Sequence, residues 1–173
     1  MSKIMNKINK KWILYSGLIV LIVIIINFLN YFFIFLPKTN GNRYLELALY
    51  YTPDEIYTLA ENYGASGRNT YIISSATIDV LVPLTATAFL TILTLFLEKK
   101  TNGKKDKRII GIGIMACFSD WVENIFLITT LKLYPTQYPI LVIIANIMTT
   151  IKYLLLLYII IGIISRTYKI KTS

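Results

Sequence analysis

Histidine is absent from the 173 residues, and cysteine occurs once, as Cys117. These absences exclude His-ligated zinc, Cys/His zinc fingers, Ser-His-Asp hydrolysis, covalently attached haem and an intrachain disulfide framework. Charge is scarce too. Only 16% of residues are charged while 55% are hydrophobic, against about 25% charged in a typical soluble domain. The chain therefore reads as a membrane protein, and no cofactor is expected.

A spanning helix needs about 20 apolar residues to cross a hydrocarbon core of roughly 30 Å. Four stretches meet this, at 12–36, 71–97, 109–131 and 140–164, each bounded by charge, Pro or Gly. The expected fold is an all-α membrane protein, a four-transmembrane-helix bundle forming a single domain over 1–173. The first run is too long for a signal peptide and ends in Tyr31-Phe32-Phe33-Ile34-Phe35-Leu36-Pro37 with no small-residue cleavage site, so it reads as a retained anchor. Trp12 and Tyr15 at one end, and Tyr31, Phe32, Phe33 and Phe35 at the other, are placed like interfacial aromatic belts.

The net charge of +9 is organised along the chain. Lys3, Lys7, Lys10 and Lys11 precede span one. Lys99, Lys100, Lys104, Lys105, Lys107 and Arg108 belong to the 98–108 loop region, and Arg166, Lys169 and Lys171 follow span four. The opposite side has Lys38, Arg43, Arg68 and Lys132. The positive-inside rule puts both termini and the 98–108 loop in the cytoplasm, as expected of a multi-pass protein of the cell (plasma) membrane. Because these charges flank spans, they imply attraction to the lipid bilayer and its anionic lipids, with no nucleic acid as partner.

The 37–70 loop carries its own structure. Thr52 can N-cap, Pro53 suits the first helical position, Asp54 and Glu55 complement the helix dipole, and Gly64 can end the turn. Ile56, Leu59, Ala60 and Tyr63 fall on one face. These features predict a short amphipathic extracytoplasmic helix, read as a lid over the bundle or as a docking or gating element. The preceding 44–51 segment fits either a helical turn or an alternating strand.

Charged side chains inside a bilayer cost several kcal/mol each by the gentler scales. Asp79 lies in span two, Asp120 and Glu123 in span three and Lys152 in span four. At ~1.5 Å per residue, Asp120 and Lys152 sit at their span midpoints, with Glu123 and Asp79 within about 8 Å outward. Asn27, Asn30, Asn124, Asn146, Thr149 and Thr150 fall in the same outward layer. The cytoplasmic halves are mostly aliphatic, which predicts a polar cavity closed below and approached from outside. Gly113, Ala116, Asp120, Glu123 and Leu127 form one helical seam by their 3-4-3-4 spacing. Beside Lys152 and Thr149, Asn146, Thr150 and Tyr153 form a stripe on span four. Pro83 has no N–H for the carbonyl of Asp79. Three carboxyls against one lysine leave a formal deficit that a low-dielectric layer will not hold. Protonated carboxyls, Arg68 reaching down from the loop, or a bound cation would each remove it.

Tyr51-Thr52-Pro53-Asp54-Glu55, Gly64, Gly67-Arg68 with Tyr71, Asp79 with Pro83, Asp120-Trp121-Val122-Glu123-Asn124 and Tyr134-Pro135 together resemble a group of small, four-span prokaryotic integral membrane proteins of unassigned function. That group combines a Tyr-Ser/Thr-Pro loop helix, Gly-Arg-x-x-Tyr, an intramembrane Asp before a Pro, and Asp-x-x-Glu-Asn on the third span. Tyr50 stands where the group often has Gly. The resemblance covers most of the chain after span one and implies the architecture and the candidate residues, with no activity attached.

Asp79, Asp120, Glu123, Asn124 and Lys152, under Arg68, are therefore the candidate ligand- or ion-binding residues, for a small cation, a proton or a polar headgroup. An alternative is an accessory subunit that meets a membrane-protein partner or a second copy through the loop helix and the small-residue seam. A third is a membrane enzyme on lipid or isoprenoid substrates with Asp120 and Glu123 as acid and base; Ser119 has no recognisable base partner. Lys152 argues against a divalent metal among the three carboxylates.

Overall fold

The computed structural model describes residues 8–45, 48–100 and 108–172, with side chains described up to residue 170. Lys3, Lys7, Lys104, Lys105 and Lys107 of the basic groups, Glu46 and Leu47 of the ambiguous segment, and the Lys171 side chain lie outside what is described. Helix α1 runs Lys10–Asn30, passes through a π-helical turn, Tyr31–Phe35, and ends in one α-helical turn, Leu36–Lys38. Then come α2, Pro53–Lys100, α3, Arg108–Leu133, and α4, Pro139–Thr172. All four are long and apolar enough to cross a membrane, and no strand occurs among the described residues. The helical bundle expected from hydropathy is the observed fold, consistent with a multi-pass membrane protein.

The helix limits follow from local chemistry. The Asn9 side chain accepts from the backbone N–H groups of Lys11 (3.0 Å) and Trp12 (3.3 Å), which starts α1 ahead of the apolar run. Pro37 offers no N–H to the carbonyl of Phe33, and the helix widens into the π turn just before it. At the start of α2 the Thr52 backbone N–H donates to Glu55 at 2.7 Å, and the Glu55 N–H donates back to the Thr52 hydroxyl at 3.3 Å, a reciprocal capping box. The Thr52 backbone N–H foremost, and after it the Thr52 hydroxyl, which donates to the same carboxylate at 3.1 Å, hold the exposed Glu55 carboxyl below its ordinary pKa. The support they give is present above the unfolded-chain value and lost as pH falls through the lowered one.

The amphipathic loop helix exists, but it is not a separate element lying on a surface. It is the first part of α2, which bends at Gly64 (φ 61°, ψ 179°) and continues helical to Lys100. That backbone geometry is open essentially to glycine alone. Ile56, Tyr57, Ala60 and Tyr63 are buried, and half-buried Leu59 packs against the same core. The helix is thus a lid packed into the bundle. Gly67 sits where the loop crosses α2, and a Cβ there would stand 2.7 Å from the Lys38 carbonyl oxygen. In the 44–51 segment Leu45 has 3₁₀-helical geometry, and no strand occurs among its described residues.

Neighbouring helices run antiparallel. Asn27 meets Asp79 and Asn30 meets Ser74 across α1 and α2; Asp79 meets Asn124 across α2 and α3; Asp120 meets Lys152 across α3 and α4. Helices α2, α3 and α4 pack mutually, while α1 packs chiefly on α2. Ile109, Gly113, Ala116, Glu123 and Leu127 are the buried line of α3. Val142, Ala145, Thr149, Lys152 and Ile159 are the buried line of α4, and both follow the heptad spacing of shallow-angle helix pairs. Of the polar stripe beside them on α4, Asn146 is half-buried while Thr150 and Tyr153 are exposed, because the inward face lies on the Thr149–Lys152 side.

The main hydrophobic core sits at the end of the bundle where the loops are. Phe35, Tyr44, Leu45, Tyr51, Ile56, Tyr63 and Tyr71 are buried there with Leu127, Val142 and Ala145. The Phe35 and Tyr44 rings stack at 3.9 Å, and the Tyr63 hydroxyl donates to the Arg43 carbonyl. At the other end, near the termini, Arg166 on α4 pairs with Glu98 on α2 at 2.6 Å.

Candidate functional site

Between these ends lies a polar layer to which all four helices contribute. The Lys152 ammonium is 2.8 Å from Asp120 and 2.6 Å from Glu123, with the Glu123 side chain 1% exposed. Asn124 donates from its amide to Asp79 at 3.1 Å and to Asp120 at 3.4 Å, so one side chain bridges the two aspartates. From α1, Asn27 donates to the other Asp79 oxygen at 3.3 Å. Five of the six candidates from the sequence, Asp79, Asp120, Glu123, Asn124 and Lys152, are thereby joined in one network. The i, i+3 and i, i+4 spacing of Asp120, Glu123 and Asn124 makes this local geometry unavoidable once α3 is helical.

Arg68 is the exception. Its guanidinium donates to the Ala60 carbonyl at 2.9 Å and lies 4.4 Å from the centre of the Tyr134 ring. It staples the lid to the α3–α4 connection, and its contacts are with these groups and not with the carboxylates of the layer.

Sequence reasoning missed the tyrosines. The Tyr51 hydroxyl descends from the loop onto Glu123 (3.3 Å) and Thr149 (3.1 Å), and its backbone N–H donates to Asn146 at 3.4 Å. Tyr44 enters beside α1, where the Asn30 amide donates to its hydroxyl at 2.9 Å and to Ser74 at 3.0 Å. Tyr51 opens the Tyr51-Thr52-Pro53 run ahead of α2, which was the available signal, but a loop residue's descent into a bundle has no signature in periodicity. Trp121, on the charged turn, donates to the Val80 carbonyl at 3.2 Å, beside the Pro83 break. A Tyr51→Phe variant is expected to lose about 2 kcal/mol, the scale of a buried hydrogen bond to a charged group. Thermal unfolding in nanodiscs measures it, and a change of under a few tenths would show that the hydroxyl contributes nothing.

Access differs from the approach expected from outside. The space above Glu123 is filled by Tyr51 and the aromatic core. Asp79 instead lines a cavity of about 430 Å³ between α1 and α2, with Ile24, Asn27, Phe28, Tyr31, Phe32, Tyr44 and Val82. On the far side of α2, Asn124 lines a second cavity of about 310 Å³ with Ser75, Val80 and Trp121. Both lie between helices. Among the described residues no group of three or more His, Cys, Asp or Glu side chains is placed to hold a metal ion. Asp120 and Glu123, the acid and base of the enzymatic alternative, are both paired with Lys152.

Comparison with protein-family models, with curated proteins and with solved structures finds no match to this chain.

Proposed function

We propose that the chain is an integral protein of the cell membrane, with both termini cytoplasmic, whose Asp79–Asn124–Asp120 bridge binds a proton or a small monovalent cation. The observation that carries this is the state of Asp79. Its hydrogen-bond partners are two neutral amides, while the lysine of the layer is bonded to the other two carboxylates. Two aspartates sharing one amide, in a setting of low dielectric, call for one more positive charge. The orientation rests on the basic residues that flank the spans, and the resemblance to the small four-span group supports the same residues.

The test compares wild type with Asp79→Asn in nanodiscs, scanning pH and sodium, potassium and lithium. Wild type should gain stability at low pH or with one of these ions, as a ligand that binds only the folded state requires. Asp79→Asn should be at least as stable as wild type and lose that dependence. An unchanged ion and pH response in the variant would sink the reading and leave the layer as a helix-locking ion-pair network.

A further inference from the structure

We infer that the cavity between α1 and α2 is a binding site for the primary ammonium head of a bilayer amphiphile. This rests on the reading of Asp79 as the cation-binding carboxylate and adds the class of ligand and its route, laterally from the lipid phase.

Three features of the cavity select that chemistry. First, among the described residues the one charged side chain lining it is Asp79, which shares the Asn124 amide with Asp120 on the neighbouring helix and accepts from two amides. Second, its wall is aromatic on the α1 side. Phe28, Tyr31, Phe32 and Tyr44 line it, with ring centres 4.4 Å apart for Phe28 and Phe32, 5.2 Å for Tyr31 and Phe32, and 5.1 Å for Tyr31 and Tyr44. Adjacent aromatic faces attract an ammonium, most strongly where water is excluded. Third, Asn27 spends its amide N–H on Asp79, so its carbonyl oxygen remains an acceptor next to the carboxylate. A carboxylate and an amide oxygen match a head that only donates, as a primary ammonium does, and would repel a carboxylate or phosphate.

The rest of the cavity describes the ligand's body. Ile24, Phe28, Phe32 and Val82 are apolar, and Ile24 and Phe28 are half exposed, at 50% and 57%, on the outer side of the bundle. The volume of about 430 Å³ lies within the roughly 300–1,000 Å³ of small-molecule sites. An alkyl chain can lie along α1 while its head meets Asp79. The Tyr44 loop and the π turn close the site toward the loop end.

The experiment uses the full chain in nanodiscs with dodecylamine as probe, dodecanol as its uncharged match, and a diazirine-bearing alkylamine for cross-linking and peptide mapping. Dodecylamine should raise the melting temperature and compete the label from peptides covering residues 24–32 and 79–82. Dodecanol should compete at least about tenfold more weakly, the ratio for one lost charge-assisted contact. Phe28→Leu, at an exposed position that does not threaten folding, should weaken the amine about three- to tenfold while dodecanol binding changes less. Asp79→Asn should bring amine and alcohol to equal affinity. Equal competition by dodecanol in wild type, or label spread evenly around the outer face, overturns the proposal. If that happens while the ion response persists, the ammonium site fails and the cation-binding reading stands; if neither amine nor inorganic ion has an effect, both fail.

Discussion

Lys152→Met is expected to lower the stability of the bundle by about 3–5 kcal/mol, the cost of leaving buried carboxylates without their cation. Lys152 is 8% exposed and its ammonium lies within 2.8 Å of both Asp120 and Glu123. Methionine fills a similar volume, so little of the loss would come from packing. At a few degrees per kcal/mol for a chain of this size, the melting temperature should fall on the order of 10 °C. Adding Asp120→Asn and Glu123→Gln to the same chain should restore most of it, since the charges left behind are the cause. A single substitution that shifts the melting temperature by only a degree or two would show that the ion pairs are solvated or absent. Failure of the triple variant to recover would show that the lysine acts by shape.

The second large effect is expected at the other end of the bundle. Arg166→Met removes the guanidinium 2.6 Å from Glu98, whose side chain is 2% exposed. The loss is expected to be about 2–3 kcal/mol, the scale of a hydrogen bond to a charged group left in a buried setting. Because the pair joins α2 to α4, amide exchange should rise in the last turns of both helices while the Asp120–Lys152 region keeps its protection. Glu98→Gln in the same chain should recover part of the stability. Uniform loss of protection along all four helices would mean that the pair is coupled to global folding and does not act as a local clasp.

Glu98 also marks the boundary of what the sequence could reveal. It falls just past the predicted second span, beside Lys99 and Lys100, where an acid among lysines reads as a solvated charge. Its partner lies 68 residues away, and no spacing rule connects the two. Asp120, Glu123 and Lys152 were legible for the opposite reason. Charges in apolar runs are costly wherever the helices pack, so they declare themselves before any tertiary contact is known. Asn27 was visible as a member of the layer through its depth, while its bond to Asp79 depended on which helix α1 packs against. Arg68 was misplaced because depth counting treats a loop as free to reach inward, whereas the lid uses this residue to hold itself against Tyr134.

Four apolar runs, the seam on the third of them, the cap at Thr52, the break at Gly64 and the presence of buried charge were determined by the sequence alone. Each depends on residues within a few turns of one another, where helical geometry leaves little choice. The tertiary structure decided that α1 stands to the side of the other three helices, that Tyr51 seals the layer from the loop end, and that Asp79 faces a groove between helices. Those outcomes come from the packing of side chains far apart in the chain, where several arrangements bury similar apolar area and only the satisfaction of particular polar groups separates them.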